Sequence, residues 1–244
     1  MNRKTAIVTG GSSGIGKATA KLMAGVGYNV ILTYNSNRQL AETVVKKILD
    51  EEGEAAAFCY DAISSSDADM LTAFAMERYG KIDVLINNAG ASHRALVTQT
   101  TDEDWKRALD INLSGMFYLS RAAARDMIKR KQGAIVNISS ICGVSGAAME
   151  TAYSAAKAGV IGFTKALAKE LAPSSVSVNC LAPGAVETKM LGFLSPRERE
   201  ELCSMIPMGR FGTPDEVARA VLFLAESSYI TGQILGVDGG WLGE

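Results

Sequence analysis

Short runs rich in β-branched residues alternate with longer amphipathic stretches along almost the whole chain, and this rhythm constrains the fold most. Residues 6–8, 29–34, 55–60, 82–86, 134–138, 175–181 and 234–237 read as strands. Residues 14–26, 38–52, 67–79, 102–130, 151–171 and 217–225 carry helical patterns; in the second of these, Leu40, Val44, Val45 and Ile48 share one face. Thr101 and Asp104 have capping-box spacing at the start of 102–130, and Pro173 closes 151–171. Alternation of this kind requires parallel strands joined by helical crossovers, so the expected class is α/β. The architecture is a doubly wound parallel sheet of about seven strands with helices on both faces. Neither repeats nor linkers interrupt the 244 residues, so one domain over 1–244 is expected. Residues 189–212 break the rhythm with Pro196, Pro207 and the charged run 197–201. An insertion past a strand's carboxyl end overlies the ligand crevice of such a sheet, so this segment reads as a substrate lid, with a decorative helical insertion as the alternative.

Composition narrows the function. A formal net charge of −1 leaves no basic excess for a phosphate backbone, so no nucleic-acid partner is expected. The four cysteines form no CxxC pair and His93 is the sole histidine, so neither a metal site nor a disulfide framework is expected. The N-terminal residues 1–5 run straight into an apolar stretch without a signal-peptide pattern, and no uncharged apolar run approaches the ~20 residues of a membrane span. The expectation is a cytoplasmic protein with reduced thiols and no membrane association.

Thr9-Gly10-Gly11-Ser12-Ser13-Gly14-Ile15-Gly16 lies between the first strand and the first helix. In that context Gly10 permits a tight turn, Gly14 lets the backbone approach a pyrophosphate, and Gly16 lets helix and sheet pack closely. The helix N-terminus then faces the phosphates. This is a Rossmann-type dinucleotide site with GxxxGxG spacing, and it lacks the lysine of a phosphate-binding kinase or ATPase loop. After the second strand stand Tyr34, Asn35, Ser36 and Arg38, with no acid to hold a ribose 2′-hydroxyl. Arg38 and the small polar groups suit a 2′-phosphate, so NADP(H) is the preferred cofactor and NAD(H) the alternative; the plainer reading of Arg38 is a solvated first-turn helix residue.

Tyr153 and Lys157 stand four residues apart on one helical face. A neighbouring ammonium favours a phenolate, which would bring the tyrosine toward useful acid–base chemistry. Ser140 follows the fifth strand at the carboxyl edge, where its hydroxyl can bond a substrate carbonyl oxygen.

With these residues the chain resembles the short-chain dehydrogenase/reductase family over nearly its whole length. The glycine turn, Asn87-Asn88-Ala89-Gly90 after the fourth strand, Ser140, and Tyr153 with Lys157 in a YxxxK run match that family's motifs. Gly143 and the thirteen-residue spacing to Tyr153 select Ser140 over Ser139. The resemblance implies that Ser140, Tyr153, Lys157 and Asn112 are catalytic, Asn112 as a proton relay through water near the lysine. It implies that Asp61 and Ala62 lie beside the adenine, that Asn88, Ala89 and Gly90 line the cofactor, and that Pro183, Gly184, Val186 and Thr188 contact the nicotinamide.

Within the family, residues 183–190, 206–212 and 229–232 look like the bacterial 3-oxoacyl-[acyl-carrier-protein] reductases of fatty-acid synthesis. That branch implies NADPH-dependent reduction of a 3-oxoacyl thioester, with acyl carrier protein as a partner. Two positions depart from it: of the two basic residues that dock the carrier, Lys131 is kept and Ser174 replaces the other, and Ser13 stands where a basic residue is frequent in the glycine turn. The alternatives are a dehydrogenase of a sugar, steroid or other small secondary alcohol, and a catalytically silent cofactor-binding regulator. The family further implies a homotetramer built on helices 102–130 and 151–171. His93 reads either as a substrate contact or as a surface-loop residue.

Overall fold

The computed structural model describes residues 3–192 and 194–242; Met1 and Asn2 of the N-terminal reading, Phe193 inside the expected lid, and residues 243–244 lie outside the described residues. Seven strands form one parallel sheet: β1 (Thr5–Val8), β2 (Asn29–Tyr34), β3 (Glu54–Cys59), β4 (Val84–Asn87), β5 (Gly133–Ile138), β6 (Val176–Pro183) and β7 (Ile234–Val237). Their order is β3-β2-β1-β4-β5-β6-β7. The order reverses between β1 and β4, which opens a crevice past their carboxyl ends.

Side-chain alternation sends each strand into two cores. Ala6, Val8, Val30, Leu32, Val84, Ile86 and Val136 pack beneath α1 (Gly14–Gly25), α2 (Arg38–Asp50) and α9 (Pro214–Glu226). Ile7, Ile31, Leu85 and Ile135 pack beneath α3 (Ser65–Tyr79), α5 (Gly115–Arg130) and α7 (Thr151–Leu171). Both faces are covered, so the central strands β1, β4, β5 and β6 are buried along nearly their whole length rather than half polar. The expected doubly wound architecture is the observed one.

The differences are local. The helix expected over 102–130 is α4 (Asp102–Leu109) and α5 joined by a π-helical turn, Asp110–Ser114. Thr101 and Asp104 form the expected capping box. β4 starts at Val84 rather than 82, although the Asp83 backbone still bonds Thr5 and Ala134 of the flanking strands. The Ile82 amide donates to Asp126 (3.0 Å), and Asp83 accepts from the Thr5 amide (2.8 Å) and Arg130 (2.9 Å). β6 runs to Pro183 and begins one residue late, since Ser175 has φ 55 and turns the chain out of η-type geometry into the strand. The short α6 (Cys142–Ser145) and α8 (Pro196–Ser204) were not expected as elements. α8 opens under its own Ser195–Glu198 capping box, legible in the spacing.

Residues 189–212 leave the sheet and return to it. The Gly212 amide bonds the Ala185 carbonyl, the Glu187 amide bonds the Gly212 carbonyl, and Val186 bridges Gly212. The excursion is thus pinned at its base, with α8 tied back through an Arg199–Glu187 ion pair and Arg199 stacked on Phe211. Among the described residues no helix is long and apolar enough to cross a membrane.

Candidate active site

The glycine turn and the 87–90 strand end are one unit. Thr9 Oγ1 accepts from the amides of Asn88 and Ala89, both at 2.9 Å, and Asn88 Nδ2 donates to the Thr9 carbonyl at 2.8 Å. Gly10 has φ 65, a left-handed turn that glycine adopts without strain. A Cβ at Gly16 would lie 2.6 Å from Asn88 Nδ2, so the close helix–sheet approach requires glycine there. Gly14 lies beneath Thr188, whose Cγ2 would be 3.2 Å from an added Cβ. Thr188 therefore roofs the turn, on the segment that continues β6 past Pro183 and Gly184 through the buried Val186.

A dinucleotide fits this turn on the structure's own terms. α2, α3, α4, α8 and α9 each start under a side-chain cap. α1 starts at Ser13 with no side-chain cap and no acid in its first turn. Its first amides stay available to a phosphate beside Ser12, Ser13, Gly14 and Ile15. Tyr34, Asn35 and Ser36 end β2 at the same edge. Asp61 and Ala62 follow β3 there, the Asp61 carboxylate accepting from the Ile63 amide at 3.2 Å. Arg38 is the exposed first residue of α2, and its guanidinium bonds Glu42 at 2.6 Å, one turn along.

Across the crevice, α7 presents Tyr153 and Lys157, both buried. Lys157 Nζ donates to the Ile138 carbonyl at 2.8 Å and lies 5.6 Å from the centre of the Tyr153 ring. Burial pushes its ammonium down from 10.5 to about 8. The Ser140 hydroxyl is within side-chain hydrogen-bonding reach of Tyr153 and accepts from the Cys142 amide at 3.1 Å. Ser139 instead donates to the Lys157 carbonyl at 2.8 Å, so the choice of Ser140 agrees with the geometry.

Burial raises the Tyr153 phenol well above its ordinary value, with Cys142 and Glu150 adding to it and only Ser140 opposing. The Lys157 ammonium is held toward the Ile138 carbonyl beside the ring. Asn112, expected as a proton relay, is fully buried in the π-helical turn. Its two N–H donors are already committed to the carbonyls of Ala91 and Ala108, both at 2.9 Å, and its Oδ1 accepts from the Ala91 amide at 3.1 Å. Its amide is a clamp on the loop after β4, which lets Gly90, Asn112 and Lys157 converge.

His93 sits half-exposed with Nε2 3.7 Å from Asp104, on the surface loop before α4, and so takes the second of its readings. The group missed from sequence is Glu150. It stands three residues before Tyr153 on the same helical face, accepts from Ser92 Oγ at 2.7 Å and from Cys142 Sγ at 3.6 Å. That spacing was a usable signal.

The chain is similar to known proteins over nearly its whole length. A family model described as enoyl-(acyl carrier protein) reductase matches residues 10–242. The chain is 45% identical over 241 residues to the 3-oxoacyl-[acyl-carrier-protein] reductase FabG of Chlamydia muridarum, covering 97% of this chain and 96% of that one. It is 43% identical over 242 residues to FabG of Thermotoga maritima, covering 98% of both. It is also 42% identical over 241 residues to the uncharacterized oxidoreductase YmfI of Bacillus subtilis, again covering 98% of both. Motifs, sheet order and full-length similarity coincide: the chain belongs to the short-chain dehydrogenase/reductase family.

Proposed function

We propose that this protein reduces a 3-oxoacyl thioester, carried on acyl carrier protein, to the 3-hydroxyacyl form in fatty-acid synthesis. The observation that carries the reading is the convergence of Ser140, Tyr153 and Lys157 opposite an uncapped dinucleotide turn. A nicotinamide cofactor bound there supplies the hydride. Ser140, fixed by the Cys142 amide, orients the carbonyl oxygen between itself and Tyr153. Tyr153, kept protonated by burial, donates its phenolic proton to that oxygen as charge develops. Lys157 lies under the tyrosine ring, where its ammonium stabilises the phenolate left behind. Asn112 fixes the loop that brings Gly90 against Lys157. Residues 189–212, pinned at 185–187 and 212, form the lid that excludes water.

NADPH is the preferred cofactor, because no acid follows β2 and Arg38 can turn from the exposed Glu42 to a 2′-phosphate. A cytoplasmic location is part of this reading. The exposed Phe117 of α5, edge-on to Phe163 of α7 at 6.4 Å, offers an apolar face for a homotetramer. Ser174, where the carrier-binding branch has a basic residue, favours a second reading as a dehydrogenase of a small secondary alcohol. Cofactor oxidation is followed with acetoacetyl and crotonyl thioesters using NADPH and NADH, and cofactor reduction with secondary alcohols using NADP+ and NAD+. The reading expects the acetoacetyl thioester to be the best substrate with NADPH. Turnover of alcohols or of the crotonyl double bond, with none on the acetoacetyl thioester, overturns it.

A further inference from the structure

Glu150 is the residue before α7, yet its side chain does not cap that helix. It turns into the site instead. Its two oxygens accept from Ser92 Oγ at 2.7 Å and Cys142 Sγ at 3.6 Å, and acceptance at both oxygens is the pattern of an ionised carboxylate. Cys142 in turn donates its amide to Ser140 Oγ at 3.1 Å, so one residue separates the carboxylate from the serine. Tyr153 is three positions along the same helical face. A carbonyl oxygen shared by Ser140 and Tyr153 therefore places its substituents beside the Cys142–Glu150 pair.

We propose that Glu150 is a specificity-determining residue: its carboxylate repels carbonyl substrates that carry an anionic group next to the reacting carbon and admits their neutral ester or thioester forms. The inference rests on the reading of Ser140 and Tyr153 as the carbonyl-holding pair. Like charges a few Å apart in a partly buried site discriminate by at least tenfold. A free 3-oxo acid and its thioester differ by that one charge near the carbonyl, so the carboxylate separates the activated substrate from its hydrolysis product.

The test compares acetoacetate with methyl acetoacetate. Each is assayed for kcat/KM and, independently of turnover, titrated into the NADP+-bound enzyme, which has no hydride to give, while tryptophan fluorescence is followed. Glu150→Gln keeps the shape and an acceptor oxygen but removes the charge; Glu150→Ala serves if the glutamine variant folds poorly. Ser92→Ala removes a hydrogen bond to the carboxylate without removing its charge. The expected result is an ester-over-acid preference that narrows at least fivefold in either Glu150 variant and stays within fivefold in Ser92→Ala. A preference within fivefold of wild type in both Glu150 variants overturns the proposal. Failure of the wild type on acetoacetyl thioester would refute the assigned substrate alone, since the binding ratio still reports on Glu150.

Discussion

Replacing Gly90 with alanine tests how tightly the site is assembled. Gly90 is not among the glycines held at positive φ, so the backbone tolerates alanine and only the added methyl is at issue. That Cβ would lie 2.7 Å from Asn112 Oδ1 and 3.4 Å from Lys157 Nζ. Asn112 cannot move aside cheaply, because three hydrogen bonds to Ala91 and Ala108 hold it in the buried π-helical turn. Overpacking of this sort costs about 1–3 kcal/mol, and the smaller unfolded-state entropy of alanine returns roughly 0.4–1 kcal/mol. The net loss is about 1–2 kcal/mol, which lowers the melting temperature by roughly 2–8 °C in a chain of this size. Displacement of Lys157 by a few tenths of an Å under Tyr153 should also reduce kcat by about tenfold or more. Thermal unfolding and steady-state turnover of Gly90→Ala measure both. Wild-type stability together with wild-type kcat would refute the packing argument.

Asp83→Asn, at the opposite edge of the sheet, should destabilise by about 2–4 kcal/mol while leaving kcat of the folded enzyme near wild type, because Asp83 is buried and bonded to Thr5, Arg130 and Lys81; urea denaturation and turnover check the two halves. Lys157→Met should change the pH dependence of stability. The lysine titrates near 8 when folded against 10.5 unfolded, so between those values the unfolded chain binds more protons and wild-type stability gains with rising pH. Relative to the variant, that gain should be on the order of 2 kcal/mol by pH 10 in denaturant melts, and parallel curves would contradict it. Arg38→Ala should raise the KM for NADPH several-fold with that for NADH unchanged; equal effects on both would return Arg38 to its helix pair with Glu42.

The fold was legible because burial on both faces writes apolar runs into strands such as 29–34 and 134–138, and because the intervening helices are long and amphipathic. Boundaries were less so. β4 begins two residues late, where the Ile82 amide is drawn to Asp126, a contact 44 residues distant that no local pattern announces. The π-helical turn at 110–114 was invisible for a similar reason: it carries Asn112 to Ala91, a contact 21 residues back in the chain. In the site, the motifs placed Ser140, Tyr153 and Lys157 on one edge correctly. They did not reveal that burial raises the phenol, because desolvation depends on what covers a group rather than on its neighbours in sequence. Glu150 precedes α7 three residues before Tyr153, outside the i, i+4 pairing that joins Tyr153 to Lys157.

The central claim is that Tyr153 is the proton donor to the substrate carbonyl. Tyr153→Phe removes one hydroxyl from a buried ring, so the decisive comparison is NADPH affinity by calorimetry against kcat for carbonyl reduction in the same preparation. The account predicts a kcat lower by about 10²–10⁴-fold, the usual contribution of a positioned general acid, with NADPH affinity within about threefold of wild type. A kcat within threefold of wild type in a variant that still binds NADPH would contradict it.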